Sequence, residues 1–197
     1  MDRTVNPTAT QQRRICGVNN RINFYLCDIA MEHFEHIHLE FTDDLTAIEI
    51  LYRQAIAGLD EKVLSDKDKW YAHVVNLPKH LQVVYTVGLY NWSVLNDGHR
   101  EYFYNRYGIF AHLTIQNLRL LDADEASIIL SLALEQVNQG KLQAAEFSDA
   151  IFNQSIKGIA DDDEELESML GILDEKYRAL GDEPTYDTLE AYARQFV

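Results

Sequence analysis

Positive charge is in short supply in this chain. It carries 17 Lys+Arg against 32 Asp+Glu, a formal net charge of -15. An excess of that size says little about fold but sets which surfaces the protein can approach. Free nucleic acid and anionic membranes are disfavoured, and a basic protein is the expected partner. Proline and glycine are scarce too, at 3 and 9 of 197 residues, which argues for long regular elements. The only cysteines, Cys16 and Cys27, have neither zinc-ligand spacing nor a disulfide framework. That usage fits a reducing cytoplasm, the expected location. Residues 1–12 are polar and lack the apolar stretch of a secretory signal. No apolar run approaches the roughly 18 residues that a membrane-spanning helix needs.

Catalytic signatures are missing as well. There is no Gly-x-Ser-x-Gly, no glycine-rich phosphate loop and no His-Glu-x-x-His. Cys27 is followed by Asp28, a neighbour that does not favour a thiolate nucleophile. The segment Glu32-His33-Phe34-Glu35-His36-Ile37-His38 invites a metal reading, but it supplies one Glu-x-x-His pair, Glu35 with His38. A bundle di-iron site needs two such pairs and further glutamates. The chain is therefore expected to hold no metal and no cofactor and to be no enzyme.

What remains is a chain long enough to bury a sizeable core as one domain. Residues 1–23 read as a polar arm, with Arg3, Arg13, Arg14 and Arg21 against Asp2 alone. Residues 24–197 read as a single all-α domain of about eight or nine helices. Over 24–41 helical and alternating spacings compete, and helix is favoured because nothing nearby offers a strand partner. Thr42 or Asp43 is expected to cap a helix ending near Ala57, with Leu45, Ile48, Leu51 (or Tyr52) and Ala55 or Ile56 as its apolar face. Further helices are expected from Asp60 to Val75 and from Pro78 to Leu95, where proline suits a first turn. Asn96-Asp97-Gly98 reads as a turn, followed by helices over His99–Tyr107 and Phe110–Leu121. Asp122, with Glu125 three residues on, reads as a capping-box-like start to a helix reaching Val137. Lys141–Phe152 and Asp161–Leu180 follow, and Thr185 is expected to cap a final helix.

The acids are not evenly spread. Asp161 to Glu190 holds twelve acids against two bases, Lys176 and Arg178. Asp161, Asp162, Asp163, Glu164, Glu165 and Glu167 crowd the first turns of one expected helix, and Asp174 and Glu175 lie further along it. Such a cluster is ordinarily a solvated helix start, stabilised by the macrodipole at about 0.3–1 kcal/mol per acid. It is also what a protein needs to imitate the phosphate field that basic proteins bind. These eight residues are the candidate partner-binding surface.

A second feature is the run Asn96-Asp97-Gly98-His99-Arg100-Glu101-Tyr102-Phe103-Tyr104-Asn105-Arg106-Tyr107-Gly108. As plain chemistry it is a structural corner in which Gly98 takes positive φ. Its aromatic residues, with Trp92 and His99, could alternatively line a small-molecule pocket. The run resembles the central motif of a bacterial DNA-mimic protein family, roughly Val-x-Asn-Gly-Gly-Phe-x-Gln-Phe/Tyr-Phe-x-Asn-x-x-Gly. Asp97, His99 and Glu101 stand where that pattern has Gly, Phe and Gln. Leu120-Leu121-Asp122-Ala123 with Ala126 and Ile129-Leu130 is similar to a second family segment. Leu173-Asp174-Glu175-Lys176-Tyr177 with Leu189-Glu190-Ala191-Tyr192 and Phe196 is similar to a third. The resemblance spans residues 77–197. It implies an all-helical fold, leaves a homodimer open, and implies no established enzymatic activity. It suggests structural roles for Asn96, Gly98, Tyr102, Phe103, Asn105 and Gly108. It also suggests that the chain binds a basic DNA-binding protein or transcription factor as a DNA mimic. Two alternatives stay open: a ligand-binding or enzymatic module around Trp92, His99 and Tyr102, and an immunity- or antitoxin-like protein that neutralises a basic toxin.

Overall fold

Every regular element among the described residues is helical, in a computed structural model that describes residues 45–161 and 163–197, without the side chains of 182–184. The polar arm, the helix expected over 24–41, the histidine cluster, both cysteines and Asp162 lie outside the described residues. The order is α1 (Ala47–Ile56), α2 (Glu61–Leu64), α3 (Lys67–Val75), α4 (Lys79–Asn96) and α5 (Gly98–Tyr104). A 3-10 turn (Tyr107–Phe110) leads into α6 (Ala111–Leu120), α7 (Asp124–Val137), α8 (Ala144–Phe152), α9 (Glu164–Ala179) and α10 (Asp182–Ala193). Nine of these ten helices have at least seven residues. They belong to the compact unit Phe41–Val197.

The axis of the fold is α4. From Leu81 to Tyr90 every residue is buried, as are Trp92, Ser93 and Val94. A helix apolar all round must be surrounded, and α1, α3, α5, α6, α9 and α10 all pack on it. The valines of Val83-Val84 and Val87 are weak helix formers, so burial rather than propensity holds them there. Pro78 stands just before the first turn, where its missing N–H costs nothing. Polar residues within this core bond one another. Asn117 Nδ2 donates to Thr86 Oγ1 at 2.8 Å, and Lys79 Nζ donates to Asn117 Oδ1 at 2.6 Å. These bonds tie α4 to α6. On the adjoining face of α4, Trp70 Nε1 donates to Tyr85 Oη at 2.9 Å and Phe110 packs edge-on against Trp70.

Several boundaries differ from the sequence reading, each for a local reason. The first helix is capped by Thr46, which forms a full capping box with Glu49, four residues beyond the expected Thr42. The expected helix from Asp60 to Val75 is two helices. Asp60 caps α2 and Asp66 caps α3, and the second cap restarts the chain. Asp122 does not cap α7: it has φ +56, and Ala123 stands at the cap position without a side-chain bond. Thr185 is likewise no cap. It is buried inside α10, which starts after Gly181.

Candidate partner-binding surface

Helix α9 begins with Asp163 as its N-cap, whose carboxylate accepts from the N–H groups of Glu165 and Leu166 at 3.1 Å each. Asp161 accepts from the N–H of Gly158. These two acids are thus spent on local structure, though Asp161 stays exposed. Leu166, Leu170, Leu173 and Tyr177 form the buried stripe of α9. Glu164, Glu165, Glu167 and Glu175 are exposed, and none of them forms an ion pair or hydrogen bond among the described residues. The helix's two bases, Lys176 and Arg178, stand in its last turn. Its N-terminal half therefore presents carboxylates without counter-charge.

The sequence grouped Asp174 with this surface, and its geometry corrects that. Asp174 Oδ1 accepts from the backbone N–H of His99 at 2.8 Å and from His99 Nδ1 at 2.5 Å. The imidazole is fully buried and the Asp174 side chain is 15% exposed. The other ring nitrogen, Nε2, shares a hydrogen bond with the Tyr90 hydroxyl at 2.9 Å. Burial, first of all, pushes the Tyr90 phenol well above its ordinary pKa, so it keeps its proton. Tyr177 Oη donates to Asn91 Oδ1 at 2.9 Å. One face of α9 is thereby bolted to α4 and α5, and the glutamates on its outer face are held in fixed directions.

The aromatic motif explains how that bolt is built. Gly98 has φ +90, and a Cβ there would meet Asp174 Oδ2 at 2.5 Å. Only glycine lets the carboxylate come so close to the start of α5. A Cβ on Gly108 would run into the Phe103 ring, so that glycine admits the ring beneath the 3-10 turn. Tyr102 and Phe103 are buried at 1% and 0% exposure. Asn96 Nδ2 donates to the carbonyl of Trp92 at 2.7 Å, and Asn105 ends α5 on the surface. Trp92, His99 and Tyr102, read alternatively as pocket walls, are packed at 6%, 0% and 1% exposure, and none of the three faces solvent. Among the described residues, no cluster of His, Cys, Asp or Glu could hold a metal ion, and no helix is long and apolar enough to cross a membrane.

The family model described as DMP19-like protein matches residues 75–196, well over half of the chain. The chain belongs to the DMP19-like family. In this DMP19-like protein the matched region runs from the end of α3 through α10. It takes in the aromatic corner, the His99–Asp174 pair and the acidic helix, and it leaves out α1 and α2. No curated protein and no solved structure matches the chain.

For two residues that the sequence named, it missed the inward role. Asp174 follows Leu170 by four and precedes Tyr177 by three, so it borders the buried stripe, and that spacing was the available signal. Glu190 is buried at 8% exposure and accepts from the N–H groups of Ala47 and Ile48 at 3.2 and 3.1 Å. Its place between Leu189 and Ala193 hinted at burial, but nothing in the sequence named α1 as its partner.

Proposed function

We propose that this DMP19-like protein is a non-enzymatic interaction protein that binds a basic protein through the outer face of α9. The observation that carries the reading is the set of exposed, unpaired carboxylates of Glu164, Glu165, Glu167 and Glu175 on a helix whose inner face is fixed. Membership of a DNA-mimic family supports a DNA-binding protein as the partner class. The cysteine usage supports a cytoplasmic setting. DNA-binding proteins recognise their target largely through its phosphate field. At a rise of 1.5 Å per residue, Glu164 and Glu175 lie about 16 Å apart along the helix axis, a span that a basic groove or helix can follow. The net charge of -15 speeds encounter, while screening over about 8 Å leaves affinity to the contacting carboxylates.

The test is retention of lysate proteins on the immobilised full chain at low salt, eluted by a salt gradient. A basic DNA-binding protein that duplex DNA displaces is expected. Changing Glu164, Glu165, Glu167 and Glu175 together to glutamine should lower the eluting salt and leave the fold intact, because none of the four makes a bond among the described residues; the loss of three acids from the first turn should cost about 1–3 kcal/mol at most. If the quadruple variant retains the same protein to the same salt, α9 is not the surface. A basic toxin as the retained protein would point to immunity, which uses the same physics.

A further inference from the structure

The acidic helix lies beside an apolar strip that charge alone does not explain. Ile128 and Leu132 sit one turn apart on α7 and are 55% and 38% exposed, and Ile172 on α9 is 53% exposed. Helices α7 and α9 pack against each other. Asp174 turns one shoulder of α9 toward α5. Ile172, two residues earlier and so about 200° away around the axis, lies on the other shoulder. Carboxylates edge the strip on both helices: Asp124, Glu125 and Glu135 on the exposed face of α7, and Glu165 on the shoulder that carries Ile172. Lys176, one turn beyond Ile172, is the base on that shoulder.

Isolated exposed apolar residues need no explanation, but three on two adjoining helices within an acidic rim have the make-up of an interface centre. We infer that the exposed faces of α7 and α9 form one docking surface, with Ile128, Leu132 and Ile172 as apolar anchors. The occupant is a protein segment whose aliphatic or aromatic side chains are flanked by Lys and Arg. Charge complementarity selects it. A second copy of the same face would set the two acidic rims against each other, because a two-fold interface pairs a patch with itself. The inference rests on the reading of a basic partner and deepens it. A partner held by phosphate mimicry alone would need only the carboxylates, whereas this surface also asks for apolar side chains among the partner's bases.

Two synthetic helical peptides with equal lysine content serve as probes, one with leucines along one face and one with those leucines replaced by glutamine. Binding to the full chain is read by fluorescence anisotropy at low and high salt. The leucine peptide is expected to bind more tightly, and to keep more of its affinity at high salt. The triple variant Ile128→Gln, Leu132→Gln, Ile172→Gln should weaken it about tenfold or more, while leaving the glutamine peptide unaffected. Val75→Gln, at an exposed apolar residue on α3, should change neither. If both peptides bind parent and triple variant alike, and the glutamates-to-glutamine variant of α9 weakens both, the anchors are overturned and the electrostatic reading stands. If that α9 variant weakens neither peptide, or if neither peptide binds the parent, the reading beneath the inference fails with it. Sedimentation supplies the remaining arm: a parent dimer that the triple variant makes monomeric would show that a second copy covers the strip, overturning the inference.

Discussion

One oxygen of the Asp174 carboxylate receives both the backbone N–H and the imidazole Nδ1 of His99, from a helix 75 residues earlier in the chain. This pair fixes the roll of α9 and so decides which glutamates face outward. Asp174→Ala would leave two donors of a fully buried residue without a partner, at about 1–3 kcal/mol each, tempered by relaxation to about 2–4 kcal/mol in all. Asp174→Asn keeps an acceptor and should cost less, about 1–2 kcal/mol. Urea unfolding of the three proteins measures both. A loss below about 0.5 kcal/mol in the alanine variant would mean that the pair is not what holds the helix.

Two glycines should respond in opposite directions to the same change. At Gly98 an added methyl collides with Asp174 and the φ of +90 is unfavourable to alanine. Gly98→Ala should therefore destabilise by about 1–3 kcal/mol. Gly171 lies within α9, and a Cβ there meets nothing within 4 Å. Gly171→Ala should stabilise by about 0.5–1 kcal/mol, through the lower entropy of the unfolded chain and better helix propensity. Thermal unfolding of the pair gives the signs directly. A destabilising Gly171→Ala would show that α9 is constrained at that point by something beyond its own backbone.

Glu190 joins the last helix to the first described one. Its two oxygens cap the α1 N-terminus at Ala47 and Ile48, and one also accepts from Arg194 Nε at 2.9 Å. Thr46, the N-cap residue of α1, accepts from a third donor of the same end, the N–H of Glu49, so the two residues divide the free N–H groups of the first turn between them. Glu190→Ala should cost about 1.5–3 kcal/mol, as expected for charge-assisted bonds left open in a buried place. Arg194→Ala should cost below about 1 kcal/mol, because its side chain is 72% exposed. Hydrogen exchange at Ala47 and Ile48 tests the assignment. If Glu190→Ala leaves their protection unchanged, the clamp is not what orders α1.

The sequence made legible what local chemistry controls. Pro78 announced the start of α4, and Asn96-Asp97-Gly98 announced its end, because proline and positive-φ glycine act through the backbone alone. The spacing of Leu166, Leu170, Leu173 and Tyr177 marks α9 in the sequence, because period 3.6 survives any tertiary arrangement. Caps were less secure. Thr42, Asp43 and Thr46 are chemically similar, and only the reach of Glu49 back to Thr46 chose among them. The inward turns of Asp174 and Glu190 were hidden for a different reason. Both are long-range choices, made by His99 on α5 and by the free N–H groups of α1, and a net-charge reading counts such acids as surface. The acidic face is consequently narrower than the eight residues that composition suggested: Asp161, Asp163 and Asp174 are engaged by the fold, and Asp162 lies outside the described residues.

Tyrosine burial sets the alkaline limit of the fold. Tyr52, Tyr85, Tyr90, Tyr102 and Tyr177 all lie above the ordinary phenol value of 10.0, with burial as the leading cause in each. The folded state thus holds these protons more tightly than the unfolded chain does. Below about pH 10 both states are protonated and the full stability is present; as pH rises past it the unfolded chain ionises first and stability falls. The protein should therefore unfold cooperatively in alkali, with tyrosinate absorbance and helical circular dichroism changing in one step. Tyr90→Phe removes one such group, and with it the hydrogen-bond partner of His99 Nε2. It should lower stability near neutral pH by about 0.5–1.5 kcal/mol and make the alkaline loss shallower. Tyrosinate appearing well before the helical signal falls would mean that these phenols titrate within the folded protein, and that their burial does not govern its alkaline unfolding.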